Sequence, residues 1–234
     1  MKVIAVASQK GGTGKTTISA HLAVQAEYFG AGPVALIDTD PQGSLSNWWN
    51  VREAGTPVFV RTTIHTLSDD LAQLCEAGVK LVIIDTPPAI NEAIVGVVEV
   101  SGLAVIPVRP SPHDLAAAGA TVGLIESQNK PLIFVINSAS PRARITGEAA
   151  IALSQHGTVA PSIIHHRTEF ASSMIDGRTV MELPRTQRSS AEIETLWTYL
   201  DARLERIPDF MVSPTGHMTA DIERRLQAQW GPAE

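Results

Sequence analysis

Seven short apolar runs punctuate the chain: VIAVA (3–7), VALI (34–37), VFV (58–60), LVII (81–84), LAVIPV (103–108), LIFVI (132–136) and VAPSII (159–164). Most are apolar at every position instead of every second one, the pattern of strands covered on both faces. Helix-length stretches lie between them at 15–29, 43–52, 65–77, 90–100, 113–127, 143–156, 168–175 and 189–206, with Gly30, Gly78 and Gly157 placed as C-terminal stops. This alternation predicts an α/β fold, doubly wound, with a mainly parallel sheet and helices on both faces.

No Pro/Gly/Ser-rich linker and no internal repeat interrupts residues 1–206, which read as one domain. Beyond Pro208 the pattern changes to loop, followed by a short helix at 221–230, so residues 207–234 form an expected C-terminal tail. The first apolar run stops after five residues at Ser8-Gln9-Lys10 and reads as a strand, not a secretory leader. The tract 94–108 is broken by Glu99 and Ser101-Gly102, too polar to cross a bilayer. A soluble, cytoplasmic protein is expected.

With 44% hydrophobic and only 18% charged residues, the chain can bury a core and is not intrinsically disordered. Aromatics are 5%, so that core must be aliphatic and alanine-rich. The single cysteine, Cys75, excludes an internal disulfide and a cysteine-rich zinc site. The seven histidines, including the pair His165-His166, show no metal-ligand spacing and are read as structural.

The strongest chemical signal follows the first strand and opens the first helix: Lys10-Gly11-Gly12-Thr13-Gly14-Lys15-Thr16-Thr17. Glycines let backbone N–H groups turn towards an anion and the helix N-terminus adds a favourable dipole. Lys15 reaches β- and γ-phosphates, and the Thr16 hydroxyl can ligate Mg²⁺. Two more stations sit at strand ends: Asp38-Thr39-Asp40-Pro41-Gln42-Gly43 after VALI and Asp85-Thr86-Pro87-Pro88 after LVII. An acid at the carboxyl end of a buried strand beside such a loop is placed to hold a metal-bound water.

These three stations resemble the ParA/MinD family of deviant Walker A ATPases, whose motif is K-G-G-x-G-K-S/T-T, with D-x-D-P-Q-G as switch I and the third station as Walker B and switch II. The resemblance implies a P-loop NTPase fold and slow, partner-stimulated ATP hydrolysis with Mg²⁺. Lys10 matches the signature lysine, which reaches the partner's phosphates in an ATP-dependent homodimer. Asp40 stands where the family holds the attacking water, and Thr16, Asp38 and Asp85 stand around the metal. The segment Ile106–Leu115 resembles V-P-x-x-P-S-P-x-D-L, which puts Pro107 near the nucleotide, and Asn137 stands where relatives set an amide against adenine.

Within the family, compact length and the stretch after switch I look most like small plasmid-partition ATPases of the ParF type. That implies nonspecific DNA as a track, nucleoid association and a small ParB/ParG-like adaptor that stimulates hydrolysis. Between 142 and 188 six arginines (Arg142, Arg144, Arg167, Arg178, Arg185, Arg188) face four acids, a modest basic excess suited to phosphate contacts. The alternatives are a MinD-like membrane switch and an ATPase positioning protein cargo such as chemoreceptor clusters or carboxysomes. Helix 221–230 is the only membrane candidate, but Asp221 and Glu223 offset Arg224 and Arg225, so membrane association is not expected. One cysteine falls short of an iron-protein cluster, whereas a ligase of dethiobiotin-synthetase type has no short motif by which to exclude it.

Overall fold

The computed structural model describes residues 1–88, 92–184 and 187–210. Chain order is β1 (Lys2–Val6), α1 (Lys15–Tyr28), β2 (Val34–Asp38), α2 (Ser44–Asn50), β3 (Val58–Val60), α3 (Leu67–Glu76), β4 (Leu81–Asp85), α4 (Glu92–Val100), β5 (Leu103–Val108), α5 (Pro112–Ser127), β6 (Leu132–Ile136), α6 (Arg144–Ser154), β7 (Thr158–Val159), α7 (Thr168–Ser173) and α8 (Gln187–Leu204). The strands form one sheet in the order β3-β2-β4-β1-β5-β6-β7, with every pairing parallel. This is the expected doubly wound sheet.

Alternate residues of each strand feed opposite layers. Ile4, Val6, Leu36 and Ile83 face α1 and α8, where Ile18, Leu22, Ile193 and Trp197 cover them. Val3, Ala5, Ile37 and Ile84 face α3, with Leu67, Leu71 and Leu74. Towards β5 and β6 that second layer continues through Ile106, Phe134 and Ile136 under α4 and α5. Helix α1 is buried along most of its length, and Ala20, Ala23 and Ala26 let it pass between sheet and α8.

Three expected boundaries move for physical reasons. The last strand keeps only Thr158–Val159, because Pro161 offers no N–H to the ladder, although Ile164 N–H still reaches the Ile136 carbonyl at 2.9 Å. The stretch 168–175 gives way after Ser173 to a 3-10 turn at Met174–Asp176, and a second one, absent from the sequence reading, covers Val180–Glu182. Gly30 and Gly78 adopt positive φ as expected stops, but Gly157 does not: a Cβ there would collide with Leu132, so smallness and not handedness is required. Residues 207–210 run along the start of β1. The Phe210 N–H donates to the Met1 carbonyl at 2.8 Å, and Asp209 pairs with the Met1 ammonium and Lys2. The expected helix at 221–230 lies outside the described residues.

Candidate nucleotide site

Sheet order brings the chemistry to one edge. Strand β1 opens into the glycine loop, while β2 and β4 end on Asp38 and Asp85, which are register partners; Val6 of β1 is the partner of Asp85 on the other side. Three stations far apart in sequence therefore converge at the carboxyl ends of adjacent central strands. β5 and β6 deliver Arg109 and Asn137 to the other flank.

In the loop, Gly12 and Gly14 have φ of +73° and +95°, backbone that side chains with a Cβ rarely adopt. At Gly14 a Cβ would also collide with the Asn137 amide. That amide donates from Nδ2 to the Thr13 carbonyl at 2.7 Å and fixes the loop to the end of β6. Thr13 itself is buried beneath. A cavity of about 510 Å³ opens above the loop, lined by Gly11, Gly12, Gly14, Lys15, Thr16 and Thr17 and closed laterally by Asp40, Gln42, Ser44, Pro88, Asn137 and Ser138. The volume and the ring of N–H donors suit a nucleoside polyphosphate.

Asp85 is 1% exposed. Burial pushes its carboxyl up to about 7, against the Thr16 hydroxyl that donates to Oδ2 at 2.6 Å, while nearby Asp38 raises it further. Lys15 is also buried; desolvation lowers its pKa, and the charges of Asp85 and Asp40 oppose that shift. Asp38 accepts from the Asp40 N–H at 3.0 Å and from the Ser46 N–H and hydroxyl at 2.9 and 3.0 Å, so it anchors the start of α2. Asp40 accepts from the Gln42 N–H at 3.0 Å and stays on the cavity wall.

A buried carboxylate short of counter-charge, beside a hydroxyl, is a hard-oxygen set that fits Mg²⁺. Among the described residues no cluster of three His, Cys, Asp or Glu could hold a metal alone. Phosphate and water would supply most ligands, as Mg²⁺ prefers.

Several expected positions differ. Pro107 does not reach the cavity: it is buried within β5, in register with Val135. Asn137 does line the cavity, with one of its two amide N–H donors committed to the loop; its second N–H and Oδ1 remain for a base. Lys10 lies outside the cavity, with its ammonium 2.6 Å from Asp114 Oδ2; Arg109 Nε donates to Oδ1 of the same carboxylate at 2.9 Å. These donors hold Asp114 down to about 2 against the opposing effect of burial.

Among the described residues, three of the candidate arginines are tied to carboxylates and are not free charges. Arg142 and Arg188 are exposed, whereas Arg144 is paired with Glu148 and Arg178 with Asp176, and Arg185 lies outside the described residues. Arg167 is on the cavity wall, 2.7 Å from Glu192. The histidine pair also lines the cavity, with His165 Nδ1 2.8 Å from Glu192 Oε1. Neither histidine nor Glu192 carried a sequence signal, because α8 supplies the carboxylate only once the sheet is wound. No described helix is long and apolar enough to cross a membrane.

With this geometry, residues 4–180 match the CobQ/CobB/MinD/ParA nucleotide-binding domain family. The chain belongs to that family and is a P-loop ATPase of ParA/MinD type. It is 33% identical over 198 residues to the "Maintenance of carboxysome distribution protein A" of Halothiobacillus neapolitanus, covering 81% of this chain and 91% of that protein. Protein ParA of Rhizobium radiobacter is 29% identical over 199 residues, covering 81% of this chain and 80% of the relative. Among solved structures, the MinD cell division protein of Aquifex aeolicus superposes with a TM-score of 0.69 at 19% identity, covering 86% and 98% of the two chains, a likeness of fold.

Proposed function

We propose that the chain is a Mg-ATP-dependent switch that closes into a homodimer around two ATP molecules, binds DNA nonspecifically in that state and is reset by adaptor-stimulated hydrolysis. One observation carries the reading: the Lys10 ammonium lies outside its own nucleotide cavity, on a carboxylate of the flanking helix α5. From there its useful phosphate is a partner's. Two facing polyanions need fixed cations, which makes pairing depend on nucleotide.

In this reading the amides of Gly11 to Thr17 and the Lys15 ammonium bind and orient the triphosphate, and Asp40 orients the attacking water. Thr16 and Asp85 would hold Mg²⁺, with Asp38 steadying switch I from behind; the ion supplies charge neutralisation at the γ-phosphoryl group. DNA contact would fall first to Arg142 and Arg188, which of the six candidate arginines are the exposed ones without an ion pair among the described residues. Arg144 and Arg178 would have to exchange a carboxylate for a phosphate.

The cargo reading we favour is a protein assembly, supported by the resemblance to the carboxysome distribution protein over most of both chains. Plasmid partition is the second reading, supported by the resemblance to ParA. A cytoplasmic, nucleoid-bound location follows from either.

Light scattering with a non-hydrolysable ATP analogue tests the pairing, and filter binding to random-sequence DNA at graded salt tests the track. Dimers and a steep salt dependence seen only with ATP are expected. Monomers at saturating analogue would remove the mechanism, and ATP-driven liposome co-sedimentation would favour a membrane switch instead. The cargo is read by purifying the neighbouring adaptor and identifying what it carries.

A further inference from the structure

We propose that Arg109 is a positioning residue that takes over the Asp114 carboxylate when Lys10 leaves it, so that release of Lys10 for pairing does not strand a buried charge. The proposal rests on the pairing reading above and assigns a role to a residue outside the nucleotide cavity.

The geometry around Asp114 is that of two cations competing for one oxygen. Lys10 Nζ sits 2.6 Å from Oδ2, and Arg109 Nε is 2.9 Å from Oδ1. The second guanidinium contact, Arg109 Nη2 to Oδ2, is stretched to 3.4 Å. A carboxylate and a guanidinium prefer two parallel bonds of about 2.8 Å. Here Oδ2 is already shared by the Lys10 ammonium and the Ser111 hydroxyl, and the second guanidinium contact is slack. Withdrawing Lys10 removes the competing cation and leaves that oxygen to the fork and the hydroxyl.

Burial makes the exchange necessary. The Asp114 side chain is 2% exposed, while Lys10 and Arg109 are 30% and 38% exposed and line an adjoining cleft that gives them room to move. Without Arg109, the departure of Lys10 would leave Asp114 with only the Ser111 hydroxyl and its surrounding dipoles. An unpaired carboxylate at that depth carries a penalty large enough to keep Lys10 in place. Arg109 also stands against the phosphate loop: its Nη1 lies 3.9 Å from where a Cβ on Gly12 would project. The guanidinium thus bridges the loop that receives the nucleotide and the carboxylate that restrains the lysine.

The test is the analogue concentration giving half-maximal pairing of the full chain, measured by light scattering. R109Q should raise it roughly tenfold, since a neutral amide cannot replace the lost charge. R109K should fall between R109Q and the parent protein, because an ammonium restores charge but not the fork. D114N should lower the value below that of the parent, and R109Q/D114N should match D114N.

A second readout needs no pairing: the rate of Lys10 acylation in nucleotide-free protein, followed by peptide mass spectrometry, should fall in R109Q and rise in D114N. If the parent protein stays monomeric at saturating analogue, the pairing reading fails, and this proposal with it. If the parent pairs and R109Q pairs equally well, or its defect persists undiminished beside D114N, pairing stands and the exchange is wrong.

Discussion

The Asn137 amide donates to the Thr13 carbonyl at 2.7 Å while packing against Gly14, so the end of β6 sets the shape of a loop that leaves β1. Asn137→Ala should weaken ATP affinity roughly tenfold by freeing the loop, about the worth of one buried hydrogen bond. Asn137→Asp should be worse, since it faces a carbonyl with a carboxylate. Titration with a fluorescent ATP analogue checks both. Equal affinity in all three proteins would leave the loop self-supporting.

Asp40→Ala should retain ATP binding while turnover falls by about 10²-fold or more, the usual scale for losing a group that orients the nucleophile. Phosphate release with excess ATP, set beside the binding titration, separates the two effects. Unchanged turnover would take Asp40 out of the mechanism.

His21 should make stability pH-dependent. It is fully buried, with Nδ1 2.8 Å from the Thr17 carbonyl and Nε2 accepting from the Val180 N–H at 3.3 Å. Burial holds its pKa down to about 4. The unfolded imidazole takes up a proton near 6.5 while the folded one stays neutral, so stability falls as pH drops from about 6.5 towards 4 and levels off below. The full change is about 3 kcal/mol for a shift of this size. Urea denaturation of His21→Gln across that window should show a flatter profile than the parent.

Arg52 is buried at the C-terminal end of α2, where it forks onto Glu182 at 2.7 and 3.0 Å, donates to the Gly177 and Thr56 carbonyls and stacks over Trp48 at 5.3 Å. Arg52→Met should cost about 3–5 kcal/mol because Glu182 is left without its cation. The double variant Arg52→Met/Glu182→Gln should recover much of that loss, which a double-mutant cycle of denaturation midpoints will register.

What the sequence made legible, and what it did not, follows from the range over which each feature is encoded. Lys10 to Thr17, Asp38 and Asp85 were readable because a glycine-rich turn and a strand-ending acid are local patterns, and parallel pairing then assembles them. The partners Lys10–Asp114, His165–Glu192 and Arg52–Glu182 join residues far apart along the chain and arise only from sheet order. Asn137 lines the cavity, and its bond to the Thr13 carbonyl, between residues 124 positions apart, was not legible because only the fold brings the end of β6 to the loop. Pro107 was read inside the apolar run 103–108, and its burial in register with Val135 within that strand, which only sheet order reveals, keeps it off the cavity. Glycine as a helix stop succeeded at Gly30 and Gly78 and failed at Gly157, where packing on Leu132 selects for size.

Met1 and Phe210 share a hydrogen bond at the amino end of the central strand β1, one strand length from the phosphate loop where β1 ends. A fluorophore or affinity handle joined near either position would stand at the pole remote from catalysis, so labelled protein for imaging should keep its turnover.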